Sequence, residues 1–257
     1  MIQTKKQLQA KGQRQPKSQL KLLLLQIRRE PRVRQEEYDS FCAYSGLLPE
    51  QLDTLNAFER ANFGPEVLAG YDALMVGGAS EASVLEPENY PFVPASMALM
   101  RHCIEHNFPV FASCFGFQLA VLALGGQIIR DQSDFEMGTV PISLTQGAAT
   151  DPLFIGVPDE FPAVAVHRER SILCPPGAEM LAYTASCCHA FKVKQRRFWA
   201  FQFHPEVDRA TLIERLTIFK AHYTDGDDHL EQVLSNAVET PHANALVGKF
   251  VDHILLD

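Results

Sequence analysis

Cysteine is scarce in this chain and nowhere paired by its spacing. Six cysteines in 257 residues include no CxxC. A disulfide framework is therefore not expected, and a reducing, cytoplasmic setting fits. Cys187 and Cys188 are adjacent, without the separation of metal-binding cysteine pairs. No metal and no other cofactor is expected. Long apolar runs are also missing: nothing reaches 18 residues, so no membrane span is expected. The short run at residues 22–25 is soon closed by Arg28 and Arg29. A secretory leader is not expected either, because the N-terminus lacks an apolar core ending in small residues. That segment is basic and acid-free like some transit peptides, yet rich in Gln rather than Ser. It reads as a disordered polar tail over residues 1–19. No internal repeat is visible.

Acidic residues are absent from residues 1–29, which hold eight Lys or Arg. Taking these eight from the chain's 23 leaves 15 bases against 31 acids in the rest, although the net charge is only −8. An acidic body argues against broad contact with nucleic acid, whose phosphates dominate affinity. With 46% hydrophobic residues, the chain can build one large core.

Residues 21–27, 71–76 and 109–113 are apolar runs of buried-strand length. Residues 36–44, 96–106 and 115–124 read as helices, with Gly46 and Gly125-Gly126 placed to end two of them. This alternation predicts an α/β fold of three layers, a mainly parallel central sheet with helices on both faces. After residue 127 the rhythm changes. Residues 140–144, 163–167, 180–184, 190–193 and 198–203 are short strand candidates that would extend or edge the sheet. Residues 210–223, 229–237 and 243–256 read as helices, Pro241 favouring the start of the last, with a polar turn at 225–228. The expected division is a tail at 1–19, an α/β domain over 20–223, and a helical extension over 224–257 packed on the same domain. No second domain large enough to be a synthetase is visible.

Three stretches carry chemistry. In Pro109-Val-Phe-Ala-Ser-Cys-Phe-Gly-Phe-Gln118 an apolar strand runs into a cysteine, and a helix starts at once behind it. Ala112 and Gly116 are small, as a tight nucleophile elbow requires. The helix N-terminus favours thiolate, and its first free N–H groups can face an oxyanion. Packing of a buried strand-end cysteine is the other reading of this segment. In Phe198-Trp-Ala-Phe-Gln-Phe-His-Pro-Glu206 an apolar strand ends at His204. Alternation along an extended segment would put Glu206 on the same side. A base held by a carboxylate is what a cysteine nucleophile needs, although a His-Pro-Glu at a charged strand-end loop is also ordinary. Val76-Gly-Gly-Ala-Ser80 follows an apolar run, and its glycines would let a ligand approach the backbone, although an ordinary turn is the other reading.

Taken in order, these stretches resemble the class I (triad) glutamine amidotransferases, over roughly residues 21–216. The likeness is nearest to the glutaminase domain of GMP synthase and its free-standing relatives. Glu136-Met-Gly138 resembles the family's Glu-Ile-Gly segment, and Val166-His-Arg-Glu169 stands in the place of its Ser-His-Gly-Asp segment. The resemblance implies that Cys114 attacks a γ-carbonyl to form a γ-glutamyl thioester. His204 then moves the proton to the leaving amine, and Glu206 orients His204. It further implies an oxyanion hole from the N–H groups of Gly78 and Phe115, and substrate binding by Gln118, Gly77 and His167. Departures are Ala112 for the family's Gly, Ser113 for an apolar residue, and Arg168-Glu169 for Gly-Asp. The substrate is expected to be a small molecule, glutamine or a γ-glutamyl compound. A possible partner is a separate synthetase subunit; no nucleic acid or membrane is expected. Two versions compete, a glutaminase that hands on ammonia and a γ-glutamyl peptide hydrolase. A non-catalytic regulatory or binding module on the same fold is the reading from another class.

Overall fold

The computed structural model of the chain describes residues 15–131, 135–218 and 227–256. The first strands are β1 (Leu22–Gln26), β2 (Leu52–Asn56), β3 (Ala73–Val76), β4 (Val110–Ser113) and β5 (Ile129–Arg130). There follow β6 (Glu136–Leu144), β7 (Glu160–His167), β8 (Glu169–Arg170), β9 (Ala178–Tyr183), β10 (Cys188–Val193) and β11 (Phe198–Phe201). The helices are α1 (Pro31–Ser45), α2 (Phe92–Glu105), α3 (Phe115–Ala123), α4 (Arg209–Ile218), α5 (Asp227–Asn236) and α6 (Pro241–Phe250).

Nine strands form one sheet in the order β2-β1-β3-β4-β11-β10-β9-β6-β7. From β2 to β11 neighbours run parallel, and from β11 to β7 they run antiparallel. The expected parallel sheet is thus the half that carries the cysteine, and the later strands extend it. Parallel strands covered on both faces read as continuous apolar runs, and β1 is buried along its whole length. Its alternate residues split between two cores. Leu23 and Leu25 join Leu99, Met100 and Leu119 under α2 and α3. Leu22 and Leu24 join Phe41, Leu246 and Phe250 under α1 and α6.

Two elements differ from expectation for physical reasons. α1 begins at Pro31, with Glu30 as N-cap, rather than at 36. Its buried face includes Glu37 and Ser40, so apolar periodicity marks it poorly. β2 has no counterpart among the expected strands, because its Leu-Asp-Thr-Leu-Asn pattern is that of a half-exposed edge. Gly46 does end α1, in the left-handed conformation at φ 65°.

The end of the helix expected at 210–223 lies outside the described residues, as do residues 1–14 of the expected tail. Of that tail, Lys17–Gln19 form a 3-10 turn. Gln51 Nε2 donates to the Lys17 carbonyl at 2.6 Å. The C-terminal helices pack on the domain: Phe250 stands edge-on to Phe111 and Trp199, and Leu230 of α5 joins Val164, Val207 and Leu212.

Candidate active site

Cys114 stands between β4 and α3 at the carboxyl end of the parallel strands. Its φ of 48° and ψ of −96° are strained for a residue with a Cβ. Its N–H donates to the Phe201 carbonyl at 2.7 Å, tying the elbow to β11. The tightness that calls for small neighbours is visible at Gly116: a Cβ there would lie 2.9 Å from the Val76 side chain and 3.1 Å from Ala112 Cβ.

His204 and Glu206 come together, but not by extended alternation. β11 ends at Phe201, and the chain bends, with Val207 N–H donating to the His204 carbonyl at 3.2 Å. His204 Nδ1 meets Glu206 Oε1 at 2.8 Å, and His204 is coupled electrostatically to the Cys114 side chain. Burial opposes a charged imidazole here, but the negative charges of Cys114 and Glu206 outweigh it and raise the His204 pKa to about 9. Burial likewise opposes the Glu206 carboxylate, yet His204, Arg215 and Ser113 bring its pKa down to about 2.

Much of what holds this pair lies outside the motif. Ser113 Oγ, next to the nucleophile, donates to Glu206 Oε2 at 2.6 Å. Arg215 of α4 stands 3.9 Å from Glu206 and is itself bonded to Glu36 at 2.6 Å. Asn244 of α6 donates to the carbonyls of Pro205 and Val207 at 2.8 and 3.0 Å. The C-terminal extension therefore clamps the His-Pro-Glu turn. Gln202 Nε2 reaches to 3.9 Å from Cys114 Sγ. The sequence signals were a hydroxyl inside a buried strand (Ser113) and a base on a buried helix face (Arg215). Their partners could not be read from sequence.

Ser113→Ala is expected to lower kcat about tenfold with little change in KM, because the carboxylate that orients the base loses one of its two close hydrogen bonds. The lost bond to a charged group should also cost about 1.5–3 kcal/mol of stability. Steady-state kinetics and denaturant titration check both figures.

The expected oxyanion and substrate residues divide. Phe115 is the first residue of α3, where an N–H has no intrahelical acceptor. The Gly78 N–H is engaged elsewhere: it donates to Glu37 Oε1 at 3.2 Å. Glu37 is fully buried and bonded to Arg28 at 2.9 Å, so a carboxylate with few donors takes this one. A Cβ on Gly78 would lie 2.8 Å from His204 Cε1, so the backbone does pass directly beside the base. The Gly77 N–H is spent on the Leu25 carbonyl, and the residue leaves room for Glu37, whose Oε1 lies 2.5 Å from where a Cβ would be. Gln118 is held by its own donation to the Glu169 carbonyl at 2.9 Å. The His167 side chain is 1% exposed and faces Glu136, and the residue lines the same cleft as Cys114.

Cys114 lies in a cleft of about 580 Å³, walled in part by Ser80, Ser83, Tyr90, Gln118, Arg130 and Arg168. Glu169 is buried in its wall, accepting from Ser83 at 2.5 Å and from Arg130 at 2.7 Å. Arg168 is exposed, its guanidinium 5.4 Å from the Phe135 ring centroid. Among the described residues no helix is long and apolar enough to cross a membrane.

A family model described as glutamine amidotransferase class-I matches residues 60–217. The chain is 28% identical over 175 residues to a GMP synthase [glutamine-hydrolyzing] from Thermotoga maritima, covering 67% of this chain and 32% of that protein. It is 36% identical over 105 residues to one subunit of a GMP synthase [glutamine-hydrolyzing] from Methanococcus maripaludis, covering 40% and 53%. The chain thus spans about a third of the length of the first full-length relatives. A solved glutamine amidotransferase from Thermotoga maritima superposes with a TM-score of 0.69 at 17% identity, covering 93% of this chain and 99% of that one. A GMP synthase subunit protein from Thermoplasma acidophilum gives 0.61 at 18%, covering 92% and 96%. With its cysteine elbow and His–Glu pair inside the matched region, the chain belongs to the class I glutamine amidotransferase family.

Proposed function

We propose that this chain hydrolyses a γ-glutamyl amide through a thioester on Cys114. The observation that carries the reading is the buried His204–Glu206 pair, 2.8 Å apart, coupled electrostatically to a cysteine on a strained elbow at a cleft. His204 holds the proton given up by the Cys114 thiol as the sulfur attacks the γ-carbonyl. The C–N bond then breaks, and His204 returns the proton to the leaving amine. Water, deprotonated by the same imidazole, cleaves the thioester to γ-carboxylate and thiol. Phe115 N–H is the oxyanion donor at the helix start. Gly78 N–H joins it once the bond to Glu37 gives way.

Free glutamine and γ-glutamyl peptides share this chemistry and differ in the leaving amine. The exposed Arg168 on the cleft wall favours peptides, because a dipeptide brings a second carboxylate for a guanidinium to bind. The Methanococcus maripaludis relative is named as one subunit of its synthase, which favours the other version, in which ammonia passes to a separate synthetase. Purified chain alone is expected to hydrolyse γ-glutamyl dipeptides with a kcat/KM at least equal to that for glutamine. Arg168→Ala should lower the dipeptide value about tenfold and leave glutamine unchanged. If every substrate is inert until a synthetase is added, the ammonia-donor version stands instead.

A further inference from the structure

Four side chains outside the triad meet at one buried point. Glu136 opens β6, and its cross-strand partner His167 closes β7. Cys187 precedes β10, and His189 lies within it. One possible ligand atom from each lies within 4.8 Å of the others. Glu136 Oε2 is at the centre, 2.7 Å from His189 Nε2, 3.1 Å from His167 Nε2 and 3.6 Å from Cys187 Sγ. Both imidazole side chains are at most 1% exposed, and Glu136 is 13% exposed.

Hydrogen bonding alone accounts poorly for this cluster. Of the atoms that converge, His167 Nε2 makes no aligned hydrogen bond although it lies 3.1 Å from Glu136 Oε2. Buried polar atoms without partners are costly and rare. Two imidazoles, a thiol and a carboxylate converging on one point are instead a ligand set for a borderline divalent cation.

We propose that Glu136, His167, Cys187 and His189 form a four-coordinate site for a divalent cation of the zinc type. The adjacency of Cys187 and Cys188 hid it, because only one of the two is a ligand. Glu136 Oε2 stands where the other three atoms converge, so its carboxylate draws back to become the fourth ligand as the ion enters. The Cys187 thiol loses its proton to solvent as the metal–sulfur bond forms, and nothing is oxidised or reduced.

The site has a structural use. β6 is paired with β9 only through Ser143 and Leu144. Among the described residues, the Glu136 end of the β6–β7 hairpin therefore has no ladder to the rest of the sheet. The four residues bridge that gap to β10. Arg168 and Glu169, which line the cleft, follow His167 directly. A bound ion would fix this wall.

The test uses the full chain carrying Cys114→Ser, which removes the competing triad thiolate, after chelator treatment. Co²⁺ is titrated in and followed by absorption. The expected result is a near-ultraviolet thiolate charge-transfer band with visible bands of four-coordinate cobalt, saturating at one equivalent and abolished by Zn²⁺. Adding Cys187→Ser should remove the charge-transfer band, and His189→Ala should weaken binding at least tenfold. Zn²⁺ at a hundredfold excess over its Kd should raise Tm by roughly 5–10 °C. X-ray absorption of the zinc-loaded Cys114→Ser chain needs no change at the site. It should show one sulfur at about 2.3 Å beside nitrogen or oxygen at about 2.0–2.2 Å. A missing band, a band that survives Cys187→Ser, or a zinc shell without sulfur overturns the proposal and leaves a hydrogen-bonded Glu136–His189 pair.

Discussion

Cys114→Ser is expected to lower kcat/KM for a γ-glutamyl amide about a thousandfold or more, with Tm nearly unchanged. The sulfur is the atom that becomes acylated, and an alkoxide in its place is far harder to form at neutral pH. Members of such a triad act as a unit, so the loss of one removes most of what all three contribute. A thousandfold is about 4 kcal/mol of transition-state stabilisation. Stability is spared because serine is nearly isosteric and keeps the same backbone at the elbow. The Phe201 carbonyl still accepts from residue 114, and Gly116 still clears Val76. Turnover of Cys114→Ser within tenfold of the parent would reject the thioester mechanism.

His204→Asn is expected to be nearly as damaging, whereas Glu206→Gln retains more activity, since the carboxylate orients and stabilises the imidazole without touching the substrate. The pH profile distinguishes the two roles. The His204 pKa of about 9 reflects the negative charges of Cys114 and Glu206 overcoming burial. The charged imidazole therefore persists across the neutral range, and kcat/KM should fall as pH rises through about 9. Glu206→Gln removes one of those charges, so this limb should move to lower pH. Linkage runs in the same direction. A folded pKa raised from 6.5 adds stability that is complete below that value and is lost as pH rises through about 9. Glu206, lowered from 4.5 to about 2, adds stability present above 4.5 and lost as pH falls toward 2. An alkaline limb that stays put in Glu206→Gln would show that the pair is not coupled as its geometry requires.

The sequence alone determined what depends on neighbours along the chain. An apolar strand meeting a cysteine and a helix places the nucleophile at a helix start whatever the rest does. Two residues' separation keeps His204 and Glu206 close enough to bond. Continuous apolar runs such as 22–25 announce strands covered on both faces, and with the helices between them an α/β sheet. Tertiary structure decided the meetings between distant polar groups. Ser113 reaches Glu206 across 93 positions because β4 and β11 lie side by side in parallel register. Gly78 gives its N–H to Glu37 because α1 packs a buried carboxylate there. Glu136, His167, Cys187 and His189 converge because the antiparallel strands bring those ends together. Local periodicity reports which face of an element is buried. It carries no information on strand order or register, and these set which buried charge finds which partner.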